Sequence, residues 1–112
     1  MSSGIIEPGL SSEAHNIHRA LASLQEELEA IDFYHQRVDV ARDESLKAIL
    51  AHNRDDEMEH AMMLLEWLRR AMPEFDPQMR KFLFSTGDLV ALAARKAEPG
   101  AQGLGLGLGT TK

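Results

Sequence analysis

The sequence predicts an all-α chain: an antiparallel two-helix hairpin plus a short C-terminal helix, dimerising into a four-helix bundle. Three observations carry that expectation. Apolar residues recur at intervals of three and four along two long segments. Of all residues 44% are hydrophobic but only 5% aromatic, the balance of a Leu/Ala/Met-rich helical protein. The two segments match in length and a short polar break separates them, so they fold back on each other. Pairing with a second copy follows from size. Of the 112 residues, about 75 have packing composition, too few for a robust core from one chain alone.

Residues 1–10 contain Gly4, Pro8 and Gly9 and are expected to be flexible. Ser11 or Ser12 then caps a first helix over about 12–39, with Glu13 in its first turn. Its stripe reads Ile17, Leu21, Leu24, Leu28, Ile31 and Val38, broken by His35. Val38 to Glu44 reads as a short turn, with Asp43 as the next N-cap. A second helix over about 44–72 carries Leu46, Leu50, Leu64, Leu68 and Ala71, and Pro73 stops it. Arg69 and Arg70 in its last turn complement the negative helix end. Asp76 followed by Pro77 predicts a cap and first helical position, giving a third helix over about 77–84. Gly87 interrupts it, and Asp88 to Lys96 has the composition for a further turn or two. The helical domain thus spans 11–97. From 98 to 112 the chain changes character: glycine at every second position from Gly103 to Gly109 forbids a helix, and the segment reads as a disordered tail able to order on a partner.

Charge and composition exclude several classes. Net charge is −6, from 18 acidic and 12 basic residues, and no basic stripe exists to neutralise phosphates, so no nucleic-acid partner is expected. No stretch approaches the roughly 20 apolar residues of a membrane span. Met1 to Leu10 has neither the charge nor the apolar run of a signal peptide, so cytoplasmic residence is expected. There are no cysteines. Carboxylate and imidazole are therefore the strong metal ligands on offer, and they suit iron, manganese or zinc.

The residues that point to chemistry are Glu57 and His60, a Glu-x-x-His pair inside the apolar stripe of the second helix. At that spacing both side chains project from one face and reach one metal ion. A di-iron carboxylate bundle uses two such pairs plus one Glu from each of two other helices. Here there is one pair, and one matching Glu on the first helix, Glu27. Counting from a turn centred near residue 41 or 42, Glu27 and Glu57 are each about 15 residues away and stand at about the same height, with His60 about one turn off. The chain thus carries half a site, which two copies complete. In the competing reading, Glu57 and His60 form a purely structural carboxylate–imidazole pair. Glu27 sits at the edge of its apolar face. Tyr34, two turns further on, is placed to shield the site or to serve as a core tyrosine.

Other candidates read differently. Asp32 and His35 form Asp-x-x-His, but no acidic residue stands opposite on the second helix, so His35 is expected to pack or to support a ligand residue. His15, His18 and His52 read as solvent-facing or as surface ligands, and Asn53 as a hydrogen-bond partner for a ligand. Glu26 and Glu29 point away from the stripe, either as solvated charges or as an outer site that attracts Fe2+ and passes it inward. Met62 and Met63 share no face, and read as core filler rather than soft-metal ligands.

Glu26-Glu27-Leu28-Glu29-Ala30-Ile31-Asp32-Phe33-Tyr34 on the first helix, then His52-Asn53-Arg54-Asp55-Asp56-Glu57-Met58-Glu59-His60-Ala61 and Leu65-Glu66-Trp67-Leu68-Arg69-Arg70 on the second, closely resemble the encapsulated ferritins. Phe82-Leu83-Phe84 matches that family's short third helix, and the likeness covers about residues 14–90. The resemblance implies a two-helix protomer whose dimer forms a ferritin-like four-helix bundle, associating further into a ring, typically a decamer. It implies a di-iron ferroxidase, a cargo enzyme oxidising Fe2+ with O2 inside an encapsulin shell that stores the mineral. Glu27, Glu57 and His60 fall on its metal ligands, Tyr34 on its nearby tyrosine, and Glu26 and Glu29 on its iron-admission site. Phe33 stands where the family often has Trp. The Leu/Gly alternation of Leu104 to Gly109 resembles the family's shell-targeting peptide, but it ends Gly-Thr-Thr-Lys instead of Ser-Leu. Two rival functions remain at this stage: a metal-binding assembly protein without oxygen turnover, and a plain helical adaptor.

Overall fold

The computed structural model describes residues 7–95. Four helices follow in chain order: α1 Ser12–Val40, α2 Glu44–Ala71, α3 Phe75–Phe82 and α4 Leu89–Ala93. The all-α expectation holds. Residues 1–6 of the expected flexible N-terminus and the whole 98–112 tail, with its reading as a targeting peptide, lie outside the described residues. The chain divides into two compact units, Met1–Met72 and Pro73–Lys112.

The first unit is the hairpin. Ser11 caps α1, its hydroxyl accepting the Ala14 N–H at 3.1 Å. The helix runs one residue past expectation and closes with the Ala41 N–H donating to the Arg37 carbonyl at 2.9 Å. Asp43 begins α2 by accepting the Leu46 N–H at 2.8 Å. The connection is therefore only Ala41, Arg42 and Asp43, shorter than the Val38–Glu44 break expected. Neither proline nor glycine interrupts Val38 to Arg42, so α1 continues to Val40, close to the next cap.

The two long helices pack along a seam in which Ala20, Ala61 and Leu68 are buried. Ala61 at 0% exposure and Ala20 at 8% let the backbones approach closely. Full burial of Leu68 stabilises the hairpin by about 1.5–3 kcal/mol. Beyond the seam, apolar side chains stay in solvent: Leu28 is 52% exposed, Ile49 56% and Trp67 43%. A two-helix hairpin covers one stripe on each helix and leaves both flanks open.

In the second unit α3 begins at Phe75, two residues before the expected start. Asp76 does not cap it. Its carboxylate instead accepts from Arg80 Nε at 2.7 Å, one turn along. Pro77 falls within the first turn, where its missing N–H would lack a helical partner anyway. After α3 the chain reverses through Phe84 (φ 62°) and Gly87 (φ 87°), and Asp88 caps α4 by accepting from the Ala91 N–H at 3.3 Å. Lys81 closes the far end of α4, donating to the carbonyls of Ala93 at 3.3 Å and Arg95 at 3.1 Å.

Candidate metal centre

Glu27 reaches the seam from α1, and Glu57 and His60 reach it from α2. One donor atom from each residue lies within 4.8 Å of the other two, the only cluster of three such ligands among the described residues. His60 Nδ1 stands 3.2 Å from Glu57 Oε1 and 3.6 Å from Glu27 Oε1. The glutamate side chains are 24% exposed and the imidazole 49%, so the cluster opens at the His60 side. Glu27, partly exposed, still reaches the other two residues from the first helix. The hairpin turn sets this: equal arms put Glu27 and Glu57 at one height, and the close approach at alanine draws them together.

The three groups shift one another. A hydrogen bond to Glu57 raises the pKa of Glu27, with partial burial and the Glu57 charge adding to the effect. Glu57 is lowered, first by accepting that bond and then by His60, against the opposing effect of burial. His60 is raised by its bond to Glu57 and by both carboxylate charges, against desolvation. Two carboxylates this close repel when both ionise, and a bound cation would relieve that repulsion. Two oxygen donors and an imidazole, with no thiolate, form a set suited to Fe2+, Mn2+ or Zn2+. The residues present fit such an ion. Three protein ligands from one chain also leave coordination positions for a second chain's groups or for small molecules.

The remaining candidates are not part of this cluster. Tyr34 is half-buried, with the Arg37 guanidinium carbon 5.4 Å from its ring centroid. Glu26 and Glu29 are exposed and make no ion pair among the described residues. His52 is exposed and pairs with Asp56 at 3.3 Å, whereas His15 and His18 are half-buried rather than solvent-facing. Asn53 is half-buried. Asp32 accepts from Gln36 at 3.0 Å and leaves His35 alone. His35 is exposed, and Arg54 Nη1 on α2 contacts its Nδ1 at 3.1 Å. A guanidinium can only donate, so Nδ1 accepts and the imidazole proton sits on Nε2. Sequence reasoning missed this cross-hairpin contact. Residue 35 lies about 7 positions before the turn centre and residue 54 about 12 after it, so spacing gave no cue to a contact that the long Arg54 side chain makes. Met62 and Met63 are 56% and 59% exposed, so they are not core filler.

A group of two carboxylates and one imidazole that could hold a metal ion, on a two-helix hairpin, fits a ferritin-like class of helical protein. The EncFtn-like family model matches residues 6–86. The chain belongs to that family. It is 50% identical over 96 residues to an "encapsulated ferritin-like protein" of Rhodospirillum rubrum, spanning 86% of this chain and 67% of that one. An "encapsulin nanocompartment cargo protein" of Myxococcus xanthus is 40% identical over 52 residues, 46% of this chain and 40% of the relative. Among solved structures, the crystal structure of a Nitrosomonas europaea protein superposes with a TM-score of 0.73 at 55% identity, over 77% of this chain and 97% of that one. No helix among the described residues is long and apolar enough to cross a membrane.

Proposed function

We propose that this chain is a ferroxidase. It oxidises Fe2+ to Fe3+ with O2 at a di-iron site that two subunits build together, as cargo of an encapsulin nanocompartment that stores or detoxifies iron. The observation that supports this most directly is the convergence of Glu27, Glu57 and His60 within 4.8 Å. One Glu-x-x-His and one further Glu are half the ligand set of a di-iron carboxylate bundle. A twofold-related chain supplies the other half, and the exposed apolar flanks give it surface to pack on.

Iron is the substrate in this reading, and a bound pair of ferrous ions supplies the electrons that reduce O2. The protein's part is positioning and charge. Glu57 and His60, one helical turn apart, act as a rigid fork on α2. Glu27 approaches from α1 and can swing between one-oxygen and two-oxygen contacts as the charge on iron rises. Loading requires neutral His60 and ionised carboxylates, so iron binding competes with protons for these groups. Tyr34 caps the seam two turns from Glu27, and Glu26 and Glu29 draw Fe2+ to the outer face of α1. The site-bearing dimer is the unit of a larger ring, a decamer by family resemblance. The 98–112 tail is the segment that docks on the shell protein. The R. rubrum and M. xanthus relatives, by their names, support the association with a shell.

The test is native mass measurement with and without Fe2+, run beside O2 uptake. Paired chains with metal and O2 consumption are expected. Metal-linked pairing without O2 uptake would leave a metal-dependent assembly protein, and no uptake of iron or zinc at micromolar concentration would leave a helical adaptor.

A further inference from the structure

The chain places its most oxidisable accessible side chains beside this site. It has no cysteine, one Trp and one Tyr, but six methionines. Met58, Met62 and Met63 are 42%, 56% and 59% exposed, whereas Met72 and Met79 are half-buried. Met63 follows His60 by three residues, which makes the two side chains neighbours on the helix surface. At about 100° per residue, Met63 lies about 60° around α2 from His60 and Met62 about 160°. Met63 also lines a shallow concavity with Glu59, Met62, Glu66, Trp67 and Arg70, open to small solutes.

From this placement we propose that Met63 is an oxygen-accepting modification site, taking up the peroxide that escapes the Glu27–Glu57–His60 centre and thereby sparing His60. The inference rests on the ferroxidase reading for its oxidant. Two Fe2+ give one electron each to O2, which with two protons becomes hydrogen peroxide. The Met63 thioether sulfur then attacks one peroxide oxygen. The O–O bond breaks, an S–O bond forms, and the other oxygen leaves as water after a proton shift. Sulfur is oxidised by two electrons, and the product is a methionine sulfoxide that sulfoxide reductases can restore. A thioether suits this role because its oxidation is reversible, whereas oxidation of a ligand imidazole would disable the centre.

Peptide mass spectrometry, reading the added mass of one oxygen atom, tests the proposal in two arms. Hydrogen peroxide added to Zn2+-loaded protein, which shares the assembly state of the iron-loaded protein without its redox chemistry, sets the baseline Met63-to-Met62 ratio. Fe2+ and O2, with catalase present to remove peroxide from bulk solution, should oxidise Met63 ahead of Met62 by about threefold or more. An unchanged Met63-to-Met62 ratio between the arms, while O2 is consumed, overturns this proposal alone. Absence of O2 consumption overturns the ferroxidase reading and removes the oxidant with it. In the volume-conserving variant Met63→Leu the initial rate of O2 uptake should persist. Uptake should then fade faster over repeated Fe2+ additions, with oxygen appearing on the His60 peptide. Equal fading in both proteins, with no oxygen on that peptide, would contradict the protective role.

Discussion

Two charged clusters on α2, centred about two and a half turns apart, have opposite chemistry. Near the end of the helix Glu66 lies in a fork of arginines: Arg69 contacts both its oxygens at 2.8 and 2.7 Å, and Arg70 Nε contacts one at 2.8 Å. Those guanidinium groups hold its carboxyl at about 2. Glu57, nine residues earlier, meets a second carboxylate and one imidazole, and no Lys or Arg pairs with it among the described residues. The first cluster is complete as it stands. The second gathers negative charge at the seam without fixed positive charge to match it, which is how a protein prepares a cation site. The two clusters should therefore respond to substitution and to pH in opposite ways.

The largest effect is expected at the incomplete cluster. Glu57→Ala and His60→Ala should each lower the rate of Fe2+-dependent O2 uptake by about 100-fold or more, because an interaction with the reacting ion is lost outright. Helicity should be retained, since neither residue belongs to the buried core. Parent-like O2 uptake in either variant would reduce the cluster to a structural ion pair.

A second, smaller effect tests whether the seam holds the cluster together. Ala61 is fully buried next to His60. Ala61→Leu adds three heavy atoms at the closest approach of the helices and should cost about 1–3 kcal/mol by overpacking. Denaturant unfolding would register that loss. Because the helices must separate, metal affinity should fall as well, although no ligand has changed. A variant that lost stability but bound metal at parent affinity would show that Glu27 does not depend on the seam for its position.

pH separates the clusters further. The pKa of His60 is raised above its usual 6.5. In the metal-free protein its contribution to stability is therefore complete below that value and is lost as pH rises through the shifted one. Metal binding has the opposite slope, since the ion needs the deprotonated imidazole. Affinity for a redox-inert divalent ion should increase by about tenfold between roughly pH 6 and 8. Calorimetry in buffers of different ionisation enthalpy should detect proton release. Binding that is pH-independent and releases no proton would contradict the place of His60 among the ligands.

Much of this was legible in the sequence because helices make spacing into geometry. The stripe of threes and fours, Ser11, Asp43 and Pro73 set the hairpin to within a residue or two, and equal arms about the turn predicted that Glu27 would stand level with Glu57. Three features were not legible. The Asp76-Pro77 pair suits more than one first-turn position, and only the competing bond to Arg80 decided against a cap. A stripe read from large apolar side chains did not show that the small residues Ala20 and Ala61 would be among the buried ones. The same blindness to exposure put Met62 and Met63 in a core that a lone hairpin is too thin to provide.

The smallest effect is expected at the fork. The carboxylate of Glu66 is depressed to about 2, so its contribution is present above the ordinary carboxylate range and is lost as pH falls toward 2. Exposed pairs of this kind contribute little, and salt screens them. Glu66→Gln should accordingly lower the melting temperature slightly at neutral pH and not at all in strong acid. It should leave Fe2+-dependent O2 uptake at the parent rate. Salt should shrink even the small neutral-pH difference, whereas it should not restore metal binding to Glu57→Ala. A Glu66→Gln variant with impaired O2 uptake would link the fork to the centre, and the contrast between a satisfied and an unsatisfied carboxylate would no longer explain where the chemistry lies.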